Sequence, residues 1–356
     1  MTLRFGWTVL AVLILGVTGP AVEAYEVNDV HFHITNYVQE GTEIHKFLEF
    51  MGDKVGRVAL FGIPLQQTWD YDNSGNYAPT YYLHSDAPLY YYSFTDAVTA
   101  MTYKSLTPEE QARFDPMITG FNPADMYGVD HIKRVLKTFP GVFEGIGEFT
   151  IHKEFVSSKT AGGPASLIDP AIDRIFKFAE ESGLLVLIHS DIDRPFAKKG
   201  DEPVYLNQMK SLLKRHRGAK IIWAHMGLGR VVHPVEASEK GPDHFDIVRA
   251  MLNDGSLKHV SFDISWDEVA KYILATPEAT KRMADLINRS PDRFLFGSDV
   301  VAPTSQKQYL EVYDMYAPLW SLLTPEASEK VRKKNYERLF DEARRKVRAW
   351  EKAHLK

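Results

Sequence analysis

Residues 29–33 read Asp29-Val30-His31-Phe32-His33, at the end of a strand-length run that begins at Val27. Four further segments close on residues that bind metals: Gly147-Glu148, Ile188-His189, Ala224-His225 and Ser298-Asp299. All but the Glu148 segment, which has mixed character over 142–149, follow a plainly apolar run. From Glu148 onward the run ends fall at 148, 189, 225, 263 and 299. Those steps of 36 to 41 residues are the length of one strand, one helix and two loops. Parallel barrel strands carry their reactive side chains at their C-terminal ends, so such tips converge in one mouth.

Eight strands are expected, at 27–33, 55–63, 117–121 (the weakest), 142–149, 184–189, 220–225, 259–264 and 293–299. The runs are continuous rather than alternating, as strands buried on both faces require. Between them lie helical patterns with their own punctuation. Asp169-Pro170 opens one that places Ile172, Ile175, Phe176 and Ala179 on one face, and Gly183 stops it. Asp125 to Thr138 repeats the pattern and ends at Pro140-Gly141. A charged stretch from Thr324-Pro325-Glu326 to about Lys352 predicts one or two terminal helices packed outside the barrel. The fold class is therefore α/β, a (β/α)₈ TIM barrel with C-terminal helices. An open doubly wound sheet is the competing arrangement, but no Gly-rich phosphate loop follows any strand.

One interval breaks the rhythm, an aromatic-rich insertion after the second strand, at 66–116. It holds Trp69, Tyr71, Tyr77, Tyr81, Tyr82 and Tyr90-Tyr91-Tyr92. Following a strand tip, it is expected over the active-site mouth, with aromatics packed on the rim, walling in substrate, or both.

The 356-residue chain is 44% hydrophobic, with 42 Lys+Arg against 47 Asp+Glu and no cysteine. The mildly acidic balance and the lack of a basic run argue against nucleic acid as a partner. Without thiols, metal chemistry falls to histidine and carboxylate. Residues 1–24 have the form of a secretory signal peptide: Arg4, an apolar stretch over 5–17, and small residues around Val22-Glu23-Ala24. The alternative is an uncleaved anchor. With cleavage, 25–356 is one barrel domain, periplasmic or secreted, without stable membrane insertion.

His31 and His33, two apart on a strand, point to the same side. Joined by Glu148, His189, His225 and Asp299 at neighbouring tips, they are read as ligands of a divalent metal. Zn2+ leads, with Mn2+ or Fe2+ compatible with the same donors. Such a metal acidifies bound water and polarises a carbonyl or phosphoryl oxygen. Asp299 would then both ligate and shuttle the proton. Arg230, five residues past His225, is read as a clamp for carboxylate or phosphate, or as a structural ion pair. Lys153 is read as a loop residue binding an anionic substrate group, and Trp266, with Asp263 and Ser265, as part of the mouth. Trp69 is a further candidate for substrate contact. Asp191 and Asp193 are read as close followers of His189 that cap the next loop.

The D-x-H-x-H opening, His189, His225 and the final Gly-Ser-Asp resemble the amidohydrolase superfamily over essentially the whole mature chain. The likeness is to the amidohydrolase-related branch, which also contains metal-dependent decarboxylases. It implies a distorted barrel with one or two metals per chain. Gly-Ile-Gly-Glu at 145–148 resembles the glutamate version of the bridging carboxylate in binuclear members. On that pattern His31, His33 and Asp299 hold one metal, His189 and His225 the other, and Glu148 spans both. In the mononuclear pattern His31, His33, His189 and Asp299 hold one metal, and His225 is a free acid/base. The expected activity is an exported hydrolase cleaving an amide, lactone or ester of a small molecule. A nonoxidative decarboxylase of an aromatic or unsaturated acid, a phosphodiesterase and a non-catalytic barrel are the alternatives.

Overall fold

Valine, isoleucine, leucine and phenylalanine, which suit a pleated surface buried on both faces, fill the strands. The computed structural model describes residues 25–198, 202–230 and 243–355. The expected signal segment, 1–24, lies outside the described residues.

In chain order the strands are β1 (Val27–His33), β2 (Val55–Phe61), β3 (Leu65–Gln67), β4 (Leu89–Tyr91), β5 (Phe114–Ile118), β6 (Gly145–Thr150), β7 (Leu185–His189), β8 (Ile221–Trp223), β9 (Val260–Asp263), β10 (Phe294–Leu295) and β11 (Val300–Val301). The main sheet runs β10-β9-β8-β7-β6-β5-β2-β1-β11, with every pairing parallel. Since β10 pairs with β9 and β11 with β1, the single stretch 294–301 joins both edges. Val30 N–H donates to Phe296 O (3.2 Å) and Asp299 N–H to His31 O (2.7 Å) across the same seam. The expected last strand, 293–299, is thus split in two around Asp299.

Several other boundaries differ from the sequence reading, the fourth strand for example running Gly145–Thr150 rather than 142–149, and two have a clear physical reason. The third barrel strand is Phe114–Ile118 rather than 117–121. Asp115 and Pro116 interrupt its apolar run, yet Asp115 is fully buried and satisfied by Arg57, Arg344 and Tyr336. The sixth strand stops at Trp223, because His225 and Met226 turn left-handed (φ 58° and 55°).

Helices such as Pro170–Ser182 lay apolar faces on the sheet, this one ending at left-handed Gly183 (φ 79°). The C-terminal helical run (Pro325–Glu329, Lys330–Lys334, Asn335–His354) departs from the expected outer packing. Its Tyr336, Leu339, Phe340 and Ala343 join Val30, Leu187 and Leu295 in the core cluster formed by barrel strand residues. The helix closes that core at the barrel's N-terminal end, leaving the opposite end for the mouth.

In the aromatic-rich interval, β3 and β4 pair antiparallel and the helix Phe94–Lys104 returns the chain to the barrel. Tyr82, Leu65 and Leu89 bury against Tyr37, Ile63 and Val156. Packing on the rim accounts for these residues.

Candidate metal centre

His31 and His33 alternate with Val30 and Phe32 along β1, so both imidazoles face the same side of the strand. Each is tied by one ring nitrogen and offers the other. His31 Nδ1 lies 3.0 Å from Asp263 Oδ2, and His33 Nδ1–H donates to Gly62 O at 3.2 Å. His225 Nδ1–H faces Ser265 O at 3.3 Å, with Ser265 Oγ 3.0 Å away. His189 is held by Nε2 against Asp191 Oδ1, at 3.0 Å. Outer partners of this kind fix tautomer and ring orientation and raise ligand basicity.

The free nitrogens converge on two carboxylates. Glu148 Oε2 lies 3.3 Å from His33 Nε2 and 3.6 Å from His31 Nε2. Its other oxygen, Oε1, is 2.7 Å from His189 Nδ1 and 3.8 Å from His225 Nε2. Asp299 Oδ1 stands 3.2 Å from His33 Nε2 and 3.3 Å from His31 Nε2, while Oδ2 is 3.7 Å from His225 Nε2. Asp299 reaches this position through a left-handed residue (φ 53°), and His225 does likewise. Such backbone costs about 1–2 kcal/mol per non-glycine residue and here aims two side chains at the centre.

A divalent cation fits this donor set. His31 Nε2 and His225 Nε2 are buried nitrogens without a hydrogen-bond partner, and both face carboxylate oxygens. Two overlapping groups have ligand atoms mutually within 4.8 Å: His31, His33 and Asp299, and His31, Glu148 and His225. His189 stands outside both groups but contacts Glu148 directly. Four imidazoles and two carboxylates match zinc, manganese or iron(II), and no sulfur ligand is available.

The charges are strongly coupled. Burial opposes protonation of His31, but Asp299 and Glu148 outweigh it and hold its pKa well above the ordinary value. Against the same burial, bonds to Asp299 and Glu148 raise His33. His189 is pushed up to about 9, where Asp191 and Glu148 overcome burial and the repulsion of Lys153. His225 is instead lowered to about 4, because burial there exceeds the pull of Asp299. Glu148, although buried, stays well below the carboxylate range beside Lys153, His31 and His189.

A cavity of about 690 Å³ opens onto this cluster, lined by His33, Asp299, Tyr37, Lys153, Arg230 and Trp266 among others. Tyr81 and Tyr82 of the aromatic-rich interval also line it. Lys153 sits in the loop after β6, as its sequence position implies. Arg230 lies over the Trp266 ring (4.9 Å) and bonds Glu268 and Tyr81 OH, each at 3.3 Å, so it is partly a structural ion pair. Trp69 is not brought to the cavity: it is 56% exposed and its indole N–H donates to Gly75 O. Tyr71 and Tyr77 are exposed as well.

Asp263 and Ser265 are fully buried behind His31 and His225 rather than lining the mouth. Asp191 does more than cap a loop, since it holds His189, whereas Asp193 accepts from the Arg194 and Val204 N–H groups. The sequence reading gave Asp29 no role. It accepts from Ser298 N (2.8 Å), Ser298 Oγ (2.6 Å) and Tyr309 OH (3.1 Å), stapling β1 to the turn that carries Asp299. Burial lifts its pKa to about 6 against those bonds. Its signal was its place two residues before His31.

With this geometry established, comparison places the chain. The family model described as Amidohydrolase matches residues 29–341, and the chain belongs to that family. No curated protein sequence matches it significantly. Similar solved structures include an uncharacterized TIM-barrel protein from Bordetella bronchiseptica, with TM-score 0.53 and 13% identity, covering 89% of this chain and 99% of that one. A putative 2-pyrone-4,6-dicarboxylic acid hydrolase from Pseudomonas putida has TM-score 0.52 and 11% identity, over 90% and 98% of the two chains. Dihydroorotase from Campylobacter jejuni has TM-score 0.51 and 12% identity, over 89% and 83%. At these identities the likeness speaks for the fold. Among the described residues no helix is long and apolar enough to cross a membrane.

Proposed function

We propose that this protein is a metal-dependent hydrolase that cleaves an amide, lactone or ester bond of a small molecule. The observation that carries the reading is the division of Glu148, one oxygen facing the His31–His33 pair and the other facing His189 and His225. That is the arrangement a bridging carboxylate needs, with His31, His33 and Asp299 on one side and His189 and His225 on the other. Divalent cations held there supply Lewis acidity toward the scissile carbonyl and a lowered pKa for water.

The remaining work belongs to the chain. Asp299 has one oxygen among the ligand nitrogens and turns the other toward His225. Its free oxygen accepts the proton of the attacking water and returns it to the leaving nitrogen or oxygen. Asp263, Ser265 and Asp191 hold the imidazoles in orientation. Tyr37, Tyr81 and Trp266 flank the cavity and limit the water around the substrate. The resemblance of residues 1–24 to a signal peptide supports export, with maturation near Tyr25.

Metal analysis of purified protein, with a panel of lactones, amides and esters, tests this. Two equivalents per chain are expected, falling toward one in Glu148→Ala, together with hydrolysis of at least one substrate class. One equivalent in both proteins would remove the bridged site.

A specific observation favours a second reading. His225 Nε2 stands 3.8 Å from Glu148 and 3.7 Å from Asp299, whereas His31, His33 and His189 come within 3.3, 3.2 and 2.7 Å of one of these carboxylates. A single metal on His31, His33, His189 and Asp299 would then leave His225 as the free acid/base of a nonoxidative decarboxylation. Release of CO2 from an aromatic or unsaturated acid, with one metal per chain, distinguishes it.

A further inference from the structure

We infer that the substrate carries a carboxylate and that the Lys153 ammonium receives it. This rests on the hydrolase reading and names the chemical class that the same cavity admits.

The inference comes from counting the charges that line the cavity. Lys271 is spent on Asp267 (2.6 Å) and Glu268 (3.2 Å). Arg230 is shared among Glu268 (3.3 Å), Tyr81 OH (3.3 Å) and Glu154 (3.7 Å). Lys153 differs from both. Its ammonium makes no hydrogen bond or ion pair with any described residue and lies 5.8 Å from the centre of the Trp266 ring. Glu148, Asp299 and Glu154 attract it without bonding it, but an ammonium withdrawn from bulk water without a direct hydrogen bond is costly, so its place beside the reaction centre points to an acceptor that arrives with the substrate.

Position supports this. Lys153 lies five residues past Glu148, and its own N–H donates to Ser157 Oγ (2.8 Å), which anchors the loop at its root. It shares the cavity wall with Asp299 and His33, so an anion at its tip lies within a small molecule's length of the reacting bond. Among the described lining residues it is the one unpaired cation. One free positive charge matches a monoanionic carboxylate better than a dianionic phosphate. Tyr37, Tyr81 and Trp266 supply aromatic wall on the same cavity, which suits a flat unsaturated body behind that carboxylate.

The test is calorimetric titration of metal-loaded protein with benzoate, benzamide and phenylphosphonate, none of which needs turnover. Wild type is expected to bind benzoate at least tenfold more tightly than benzamide. Lys153→Met should weaken benzoate by about tenfold to a hundredfold, as for loss of a charge-assisted contact, and leave benzamide within about twofold. Lys153→Arg should restore most of the benzoate affinity. Equal benzoate affinity in wild type and Lys153→Met would overturn the inference, since the metal alone would then hold the carboxylate. So would tighter binding of phenylphosphonate than benzoate, or loss of benzamide as well in both variants. Benzoate binding of the expected kind without hydrolysis of any ester, lactone or amide would overturn the hydrolase reading and leave this one standing.

Discussion

Asp263 Oδ2 lies 3.0 Å from His31 Nδ1, while His31 Nε2, on the other edge of the ring, faces Glu148 and Asp299. The same carboxylate, through Oδ1, accepts from His225 N (2.8 Å) and Ser265 Oγ (2.6 Å). One buried acid thus orients two imidazoles that arrive on different strands. Asp263→Asn keeps the shape and removes the charge, so a tenfold to hundredfold loss of metal affinity is expected. Competition with a chromogenic chelator measures it. Wild-type affinity in the variant would mean that Asp263 merely fills space.

Metal binding should release protons near neutral pH. His31 is held well above the ordinary 6.5 and His189 is pushed up to about 9, so both carry protons at pH 7 before a cation binds, and His33 is raised in the same direction. Ligation requires the neutral imidazole, so each raised group that becomes a ligand must lose its proton. Apparent affinity accordingly rises with pH through 7 to 9 and falls as pH drops. His225, lowered to about 4, has no proton to give at pH 7. Calorimetry in buffers of different ionisation enthalpy should show net release of one to three protons, and net uptake would contradict the charge balance.

Stability at the closed end of the barrel should separate from metal binding at the mouth. Asp115 accepts from Arg57 (2.8 and 3.0 Å), Arg344 (2.6 Å) and Tyr336 OH (2.7 Å), tying β2 and the C-terminal helix to β5. Asp115→Ala leaves those donors without their shared acceptor. Breaking a buried pair costs about 3–5 kcal/mol, and the low end applies because Arg57 and Arg344 partly reach solvent. Urea unfolding should show this loss with metal stoichiometry unchanged. A loss below about 1 kcal/mol would make the network a surface ornament.

How far the sequence spoke depended on whether apolarity and chemistry coincided. Leu185–His189 is an unbroken apolar run that ends on its candidate ligand, so strand and candidate site could be read together. Phe114–Ile118 could not, because Asp115 and Pro116 look like loop chemistry until Arg57, Arg344 and Tyr336 are folded against them. His225 and Asp299 were legible as residue types, but not as left-handed turns, since neither is a glycine and the bonds that hold them come from β9 and β1. Asp263 stood on the same regular spacing as the histidines. Its task behind His31 and His225 depended on the direction of its side chain, which the spacing alone did not reveal.

Asp299→Asn tests the proposed proton transfer. The amide oxygen can still face His31 and His33, and the left-handed turn suits asparagine as well as aspartate, so folding should be retained. The Asp299 N–H bond to His31 O and the Asp29 bonds to Ser298 hold that turn whatever the side chain. What the amide lacks is a basic oxygen. Removing a positioned general base costs about 10²–10⁴ in rate, so kcat should fall by that factor. If Asp299 carries the proton, the loss should be steeper for substrates with poor leaving groups, which depend most on proton return. An activated ester should therefore survive the substitution better than an amide. Equal losses for both, with metal content intact, would assign Asp299 to ligation alone and move the proton to another group.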